Sequence, residues 1–293
     1  MRGNRTPSII LAGDIGGTNT NLALVGKSDK GLRVLLSLRF ATKEEVSLER
    51  PIEILLSRAK EKGIDRRPNS CCISGAGPVH NRKIQLTNAP WNIDAAEIEE
   101  RFGLPVILIN DFSAISYAIP LLDPDDPNQI VKLPHCDGSL PPLPREGLAL
   151  VVGAGTGLGV GFLLKQPDGG CIVFPSEGGH SELNCWDELS CAYHRWLAAN
   201  LSFAPGAELA ASGQGIASIF SFLCSPSFDT ETAASYSLPL ALDPGDCCAI
   251  EAALLSLPEQ EKPAQIAASI HKSPRCFLTM ELFARFYAAK VSD

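Results

Sequence analysis

Leu11-Ala12-Gly13-Asp14-Ile15-Gly16-Gly17-Thr18-Asn19-Thr20-Asn21 decides the fold of this 293-residue chain. The apolar run at 9–12 and the β-rich run at 21–25 read as two strands, so the residues between them must turn. Gly16 and Gly17 let the backbone turn tightly and present its N–H groups to a phosphate. Asp14 faces the same spot. A carboxylate beside a phosphate is repulsive unless a cation intervenes, so the pairing implies Mg²⁺, held through water. The competing reading is an ordinary hairpin, which needs fewer polar and glycine residues than Asp14 to Asn19 supply.

Working outward, residues 32–40 read as a third strand. Residues 47–62 carry Ile52, Leu55, Leu56 and Ala59 at helical spacing, with Gly63 as the stop. Residues 70–74 and 83–87 read as further strands, and Asn92 is expected to cap a helix that Gly103 ends. The apolar run 106–109 is expected to be a buried strand carrying Asn110 and Asp111 at its tip. Ligands gather at such tips in open α/β sheets. For phosphoryl transfer, the Asp111 carboxylate orients a hydroxyl and accepts its proton late in a loose transition state. Asn110-Asp111 also reads as the cap of a helix over 112–119, a role compatible with the first.

From 123 to 145 the composition changes to Pro, Asp and Asn, which marks a surface loop or boundary. The domains expected are 1–122 and 123–293. Beyond the boundary, strands at 148–152 and 158–164 flank Gly153-Ala154-Gly155-Thr156-Gly157, repeating the first unit of strand, glycine-rich turn and strand. Such a turn serves to clamp other phosphates. A dinucleotide fingerprint fails, because Leu158 occupies its third glycine position. A P-loop fails too, because Asn21 stands where Gly26-Lys27-Ser28 requires a glycine. Glu177-Gly178-Gly179-His180 and Glu208 supply acceptors from different loops, which suits a polyol such as a hexose. A zinc set of His180, Cys185, Cys191 and His194 is a weaker alternative, since its spacing matches no familiar pattern.

The last third reads as helices at 187–197, 215–223, 246–257 and 275–289, with a Ser/Pro-rich loop at 225–244. The final helix places Met280, Phe283, Ala284 and Tyr287 on one face, a stripe that needs a partner and is compatible with a homodimer. A net charge of -8 gives no footprint for nucleic acid. No apolar run reaches the roughly 18 to 20 residues that span a bilayer, and residues 9–12 are too short for a signal-peptide core. A cytoplasmic address without membrane association is expected. The ten cysteines have no C-x-x-C repeat, so free thiols are expected.

Taken in order, LAGDIGGTNTNLALV, SGAGPV, LTNAPW, INDFSAISYAIP, VVGAGTGLGVGFL, PSEGGHSELN and ASGQGI resemble the bacterial glucokinases of the hexokinase and actin-like ATPase superfamily. The resemblance spans residue 8 to about residue 223. It implies an α/β, two-domain actin-like ATPase (ribonuclease H-like) fold with an interdomain cleft. The implied activity is transfer of the ATP γ-phosphoryl group to the 6-hydroxyl of D-glucose. Asp111 then resembles the catalytic base, and Asn110, Glu177, His180 and Glu208 the hexose ligands. Asp14 resembles the Mg²⁺-associated carboxylate, and Gly16, Gly17, Thr18, Asn19, Gly153, Gly155, Thr156 and Gly157 lie in the turns that hold ATP. Family members continue past the helix that 276–287 resembles, so the second domain is expected to be incomplete. A sugar-binding or regulatory protein without kinase activity is the alternative this raises, and a kinase for another hexose or amino sugar is a third.

Overall fold

The computed structural model describes residues 8–28, 31–86, 89, 91–142, 146–238 and 249–292. The chain divides into two compact units, Met1–Leu143 and Pro144–Asp293. The Pro- and Asp-rich segment expected to open the second domain therefore falls with the first. Residues 87, 143–145, 239–244 and 246–248, to which the expected strand, boundary, loop and helix extend, lie outside the described residues, as do Cys247 and Cys248.

In the first unit, β1 (Ser8–Ile15), β2 (Asn19–Ser28) and β3 (Gly31–Ala41) form an antiparallel meander, and α1 (Glu49–Glu61) follows. Ile52, Leu55 and Ala59 of α1 are buried on one face, and Gly63 ends the chain's helical path at φ +75°. Next come β4 (Ser70–Gly75), β5 (Val79–His80), β6 (Lys83–Gln85), β7 (Asn92–Asp94), α2 (Ala95–Phe102), β8 (Val106–Asn110) and α3 (Asp111–Ala118). The main sheet has the order β3-β2-β1-β4-β8, with β4 parallel to both β1 and β8. Its core joins Leu11, Ile15, Leu22 and Leu24 of the sheet to Ile52 and Leu55 of α1 and Ile98 of α2. Each such side chain contributes about 1.5–3 kcal/mol on burial.

Two elements differ from what the sequence predicts. Asn92 does not cap α2, because it pairs with Gln85 in a three-stranded sheet of β5, β6 and β7. Asp94 is the cap, its carboxylate accepting from Ala96 N at 2.9 Å, and Gly103 ends the helix at φ +65°. Residues 106–109 are not buried throughout. β8 is an edge strand, and Ile107 is 61% exposed. Asp94→Ala is expected to lower stability by about 1 kcal/mol in urea unfolding, more than Asn92→Ala. The Lys83 hydrogen bond holds the Asp94 carboxyl below its usual range. Its contribution is thus present above the unfolded pKa and lost as pH falls through the folded one.

The second unit repeats the meander with β9 (Gly147–Ala154), β10 (Leu158–Lys165) and β11 (Cys171–Ser176), in the order β11-β10-β9. Both glycine-rich turns thus join an antiparallel pair, as the internal repeat implies. The remaining elements are α4 (Glu188–Asn200), α5 (Gly213–Leu223), α6 (Ala249–Leu255), α7 (Lys262–Ala268) and α8 (Pro274–Ser292). Tyr193, Ile219, Phe222, Leu278, Leu282 and Phe286 make the main core of this unit. The buried face of α8 therefore runs through Leu278, Leu282 and Phe286. Met280 and Phe283 are half-buried against cores of the same unit, and the Tyr287 hydroxyl donates to Val152 O at 2.8 Å. Those three residues of the stripe have partners within the unit, whereas Ala284 is exposed.

Candidate functional site

The first unit gathers Asp14, the Gly16–Asn19 turn, Asn110 and Asp111 at the ends of adjacent strands. Asp14 lies opposite Ser74 of β4, and Gly75 lies opposite Asn110 of β8. The turn is closed by Gly16 N donating to Asn19 O at 2.9 Å. It is braced by Thr42, whose hydroxyl donates to Gly16 O at 2.8 Å and whose N–H donates to Thr18 O at 3.0 Å. Thr42 is itself buried against Thr20, with 3.0 Å between the hydroxyl oxygens. Thr18 and Asn19 are exposed.

One row of side chains orients Asp14. Arg39 Nε donates to Asn21 Oδ1 at 2.9 Å, Asn21 Nδ2 donates to Asp14 Oδ2 at 3.3 Å, and Ser74 Oγ approaches Asp14 Oδ1 at 3.4 Å. Arg39, Asn21, Asp14 and Ser74 are successive cross-strand partners on β3, β2, β1 and β4. The donors that touch the carboxylate are neutral, so its charge is not cancelled by a direct ion pair.

Asn110 caps α3, with its Oδ1 accepting from Phe112 N at 2.9 Å and Ser113 N at 3.2 Å. Its Nδ2 donates to Gly77 O at 3.3 Å. Asp111 is the first residue of α3 and is half-buried, with Oδ1 accepting from Phe112 N at 2.8 Å. Burial pushes the Asp111 carboxyl above the usual carboxylate range. The Phe112 N–H opposes that shift, and the charge of Asp14 adds to it.

The second unit gathers the other expected residues. Gly153 is paired in the β9–β10 ladder opposite Gly159, Gly155 N donates to Gly157 O at 2.8 Å, and Thr156 is exposed at the tip. Glu177 precedes and His180 ends a single 3-10 turn, Gly178–His180, and both are exposed, with Oε2 and Nε2 3.6 Å apart. Glu208 does not lie open beside them. Its Oε2 accepts from Leu158 N at 3.0 Å, behind the second glycine-rich turn. Among the described residues no group of three or more His, Cys, Asp or Glu side chains is arranged to hold a metal, so the zinc set is not assembled. Cys185 and Cys191 do share a hydrogen bond, which with burial pushes the Cys191 thiol up to about 11. The eight described cysteines are free thiols.

Thr42 and Arg39 lie outside every motif, and Asn21 and Ser74 lie inside two motifs that do not mark their part in the site, because only strand register brings these four residues to Asp14 and its turn. The alternation of β2 and β3 was the available signal, since it fixes which residues share a face.

The family model described as Glucokinase matches residues 11–293. The chain belongs to the glucokinase family. The glucokinase of Nostoc punctiforme is 34% identical over 230 residues, which covers 77% of this chain and 63% of that protein. The chain thus spans less than two thirds of the length of that curated glucokinase. Among solved structures, a glucokinase from an Antarctic psychrotroph is 26% identical with a TM-score of 0.68, covering 95% of this chain and 76% of that one. The glucokinase of Balamuthia mandrillaris, solved in complex with glucose, is 20% identical with a TM-score of 0.65, covering 97% and 75%. The actin-like ATPase fold expected of a glucokinase is therefore the fold of this chain. Among the described residues no helix is long and apolar enough to cross a membrane.

Proposed function

We propose that this chain phosphorylates D-glucose at the 6-hydroxyl with ATP, giving glucose 6-phosphate and ADP in the cytoplasm. The observation that carries the reading is the pair of carboxylates in the first unit. Asp111, lifted by burial and by the Asp14 charge, stands at the end of the sheet that also presents Asp14 and an anion-cradling turn. A carboxyl raised above its usual range is a better proton acceptor, and phosphoryl transfer needs that acceptor only late. Asp111 takes the 6-hydroxyl proton while the oxygen attacks the γ-phosphorus and ADP leaves.

Asn110 spends its oxygen on capping and its amide on Gly77 O and the Asp111 carboxylate, so it holds the proposed base in place beside the sugar hydroxyl. Within the second unit we assign Glu177, His180 and Glu208 to the recognition of sugar hydroxyls. The turns Gly16–Asn19 and Gly153–Gly157 offer N–H groups to the ATP phosphates. Asp14 fits Mg²⁺ held through water, because its carboxylate is exposed and is touched only by neutral donors. Bound there, the cation offsets the phosphate charge.

The test is calorimetric titration of glucose into the purified chain, followed by an enzyme-coupled assay with MgATP. Saturable binding with glucose-dependent ADP release is expected. Glucose binding without turnover would instead make the chain a sugar-binding protein, and turnover with mannose or an amino sugar but not glucose would reassign the substrate.

A further inference from the structure

Within the second unit, the segment assigned above to the hexose and the turn assigned to the phosphates meet at the backbone of one residue, Leu158. Leu158 is the first residue after the second glycine-rich turn and is buried. Its N–H donates to Glu208 Oε2 at 3.0 Å. Its carbonyl lies against the Gly178–His180 turn so closely that a Cβ on Gly179 would stand 1.9 Å from Leu158 O. A Cβ on Gly157 would stand 2.5 Å from Glu208 Oε2. At Gly179 the neighbour is backbone and leaves no slack, whereas at Gly157 it is the Glu208 carboxylate that would have to give.

A ring of hydrogen bonds closes around it. The Glu208 carbonyl accepts from Ser212 Oγ at 2.6 Å, and Gly213 N donates to Gly155 O at 2.8 Å. On the other side, the short helix carrying Glu208 is tied to the residues after His180, with Ala207 N donating to Ser181 O at 2.7 Å and Leu183 N to Pro205 O at 3.1 Å. A ligand that draws on the Glu208 carboxylate therefore pulls on Leu158 N. The tight approach of Gly179 to Leu158 O limits how far the backbone there can move in response.

We propose that Glu208 is a positioning residue for the second phosphate turn, and that through the N–H of the Gly157–Leu158 peptide it couples occupancy of the hexose segment to the shape of that turn. This rests on the hexose and phosphate assignments of the proposed function. Two linked sites must affect each other reciprocally. A substitution in the phosphate turn that dislodges Glu208 must therefore weaken glucose binding with no nucleotide present.

The experiment is glucose calorimetry on the intact chain and on Gly157→Ala, Glu208→Ala and the double variant, without nucleotide, alongside amide hydrogen exchange on the unaltered chain. Gly157→Ala is expected to weaken glucose binding by at least about fivefold, the lower end of ordinary site-to-site coupling. It is expected to add nothing further on the Glu208→Ala background, where the oxygen it displaces is gone. In the unaltered chain, glucose is expected to slow exchange at the Leu158 amide. Unchanged glucose affinity in Gly157→Ala, or additive losses in the double variant, overturns the coupling and leaves the proposed function intact. Should Gly157→Ala not fold, the unaltered chain decides: bound glucose with unchanged exchange at Leu158 overturns the coupling. Absence of glucose binding by the unaltered chain overturns both.

Discussion

Asp111→Asn is expected to lower kcat by about 10²–10⁴-fold while raising the melting midpoint at neutral pH. The amide keeps an oxygen to accept from Phe112 N, so α3 retains its first-turn contact. It cannot accept the hydroxyl proton, which accounts for the lost turnover. The stability gain follows from the direction of the pKa shift. Burial and the Asp14 charge raise the folded-state pKa of Asp111 above its unfolded value. The folded state therefore binds the proton more tightly, and that contribution is full below the unfolded pKa and lost as pH rises through the folded one. At neutral pH the native protein bears the cost of an ionised, half-buried carboxylate, whereas the amide does not ionise. The gain over wild type should thus grow from pH 4 to pH 7 in calorimetric melts. A variant that loses stability at neutral pH, or keeps its turnover, would contradict this account of Asp111.

Arg275→Met is expected to be the most destabilising single change in the second unit. Arg275 Nη1 and Glu251 Oε2 are 2.8 Å apart, with side-chain exposures of only 6% and 2%. Ser273 Oγ also donates to Glu251, and Arg275 Nε donates to Leu223 O at 3.0 Å, so the pair staples α6 and α8 to the end of α5. Removing the guanidinium leaves a buried carboxylate without its charged partner, at a cost of about 3–5 kcal/mol. Replacing both residues by apolar ones of similar volume, Glu251→Leu with Arg275→Met, is expected to recover most of that loss. Urea unfolding of the two variants checks it, and a loss below about 1 kcal/mol for Arg275→Met alone would show that the pair is not what holds these helices.

Local chemistry made part of the site legible in the sequence. Gly16, Gly17 and Gly155 mark turns because their backbones must bend between strands, and Asn110 announces a cap through its own short side chain. What depended on long-range pairing was not legible. Asn92 has the chemistry of a cap, yet β7 pairs with β6 and the cap moves to Asp94, two residues on. The run 106–109 is apolar enough for a central strand, but nothing in it says that among the described residues no strand follows on its far side. α8 is apolar on more than one face, so periodicity alone could not choose between Met280-Phe283-Tyr287 and Leu278-Leu282-Phe286 as the inner stripe. The hydrogen bond from Leu158 to Glu208 joins residues 50 apart, and no local pattern encodes it.

In the proposed reaction Asp111 takes the proton of a glucose hydroxyl as phosphoryl passes from ATP. Phosphorus NMR of the chain with glucose and MgATP tests it most directly. The account predicts a sugar phosphate monoester resonance growing in step with ADP and absent with Asp111→Asn, whereas a monoester forming equally fast with that variant would contradict it.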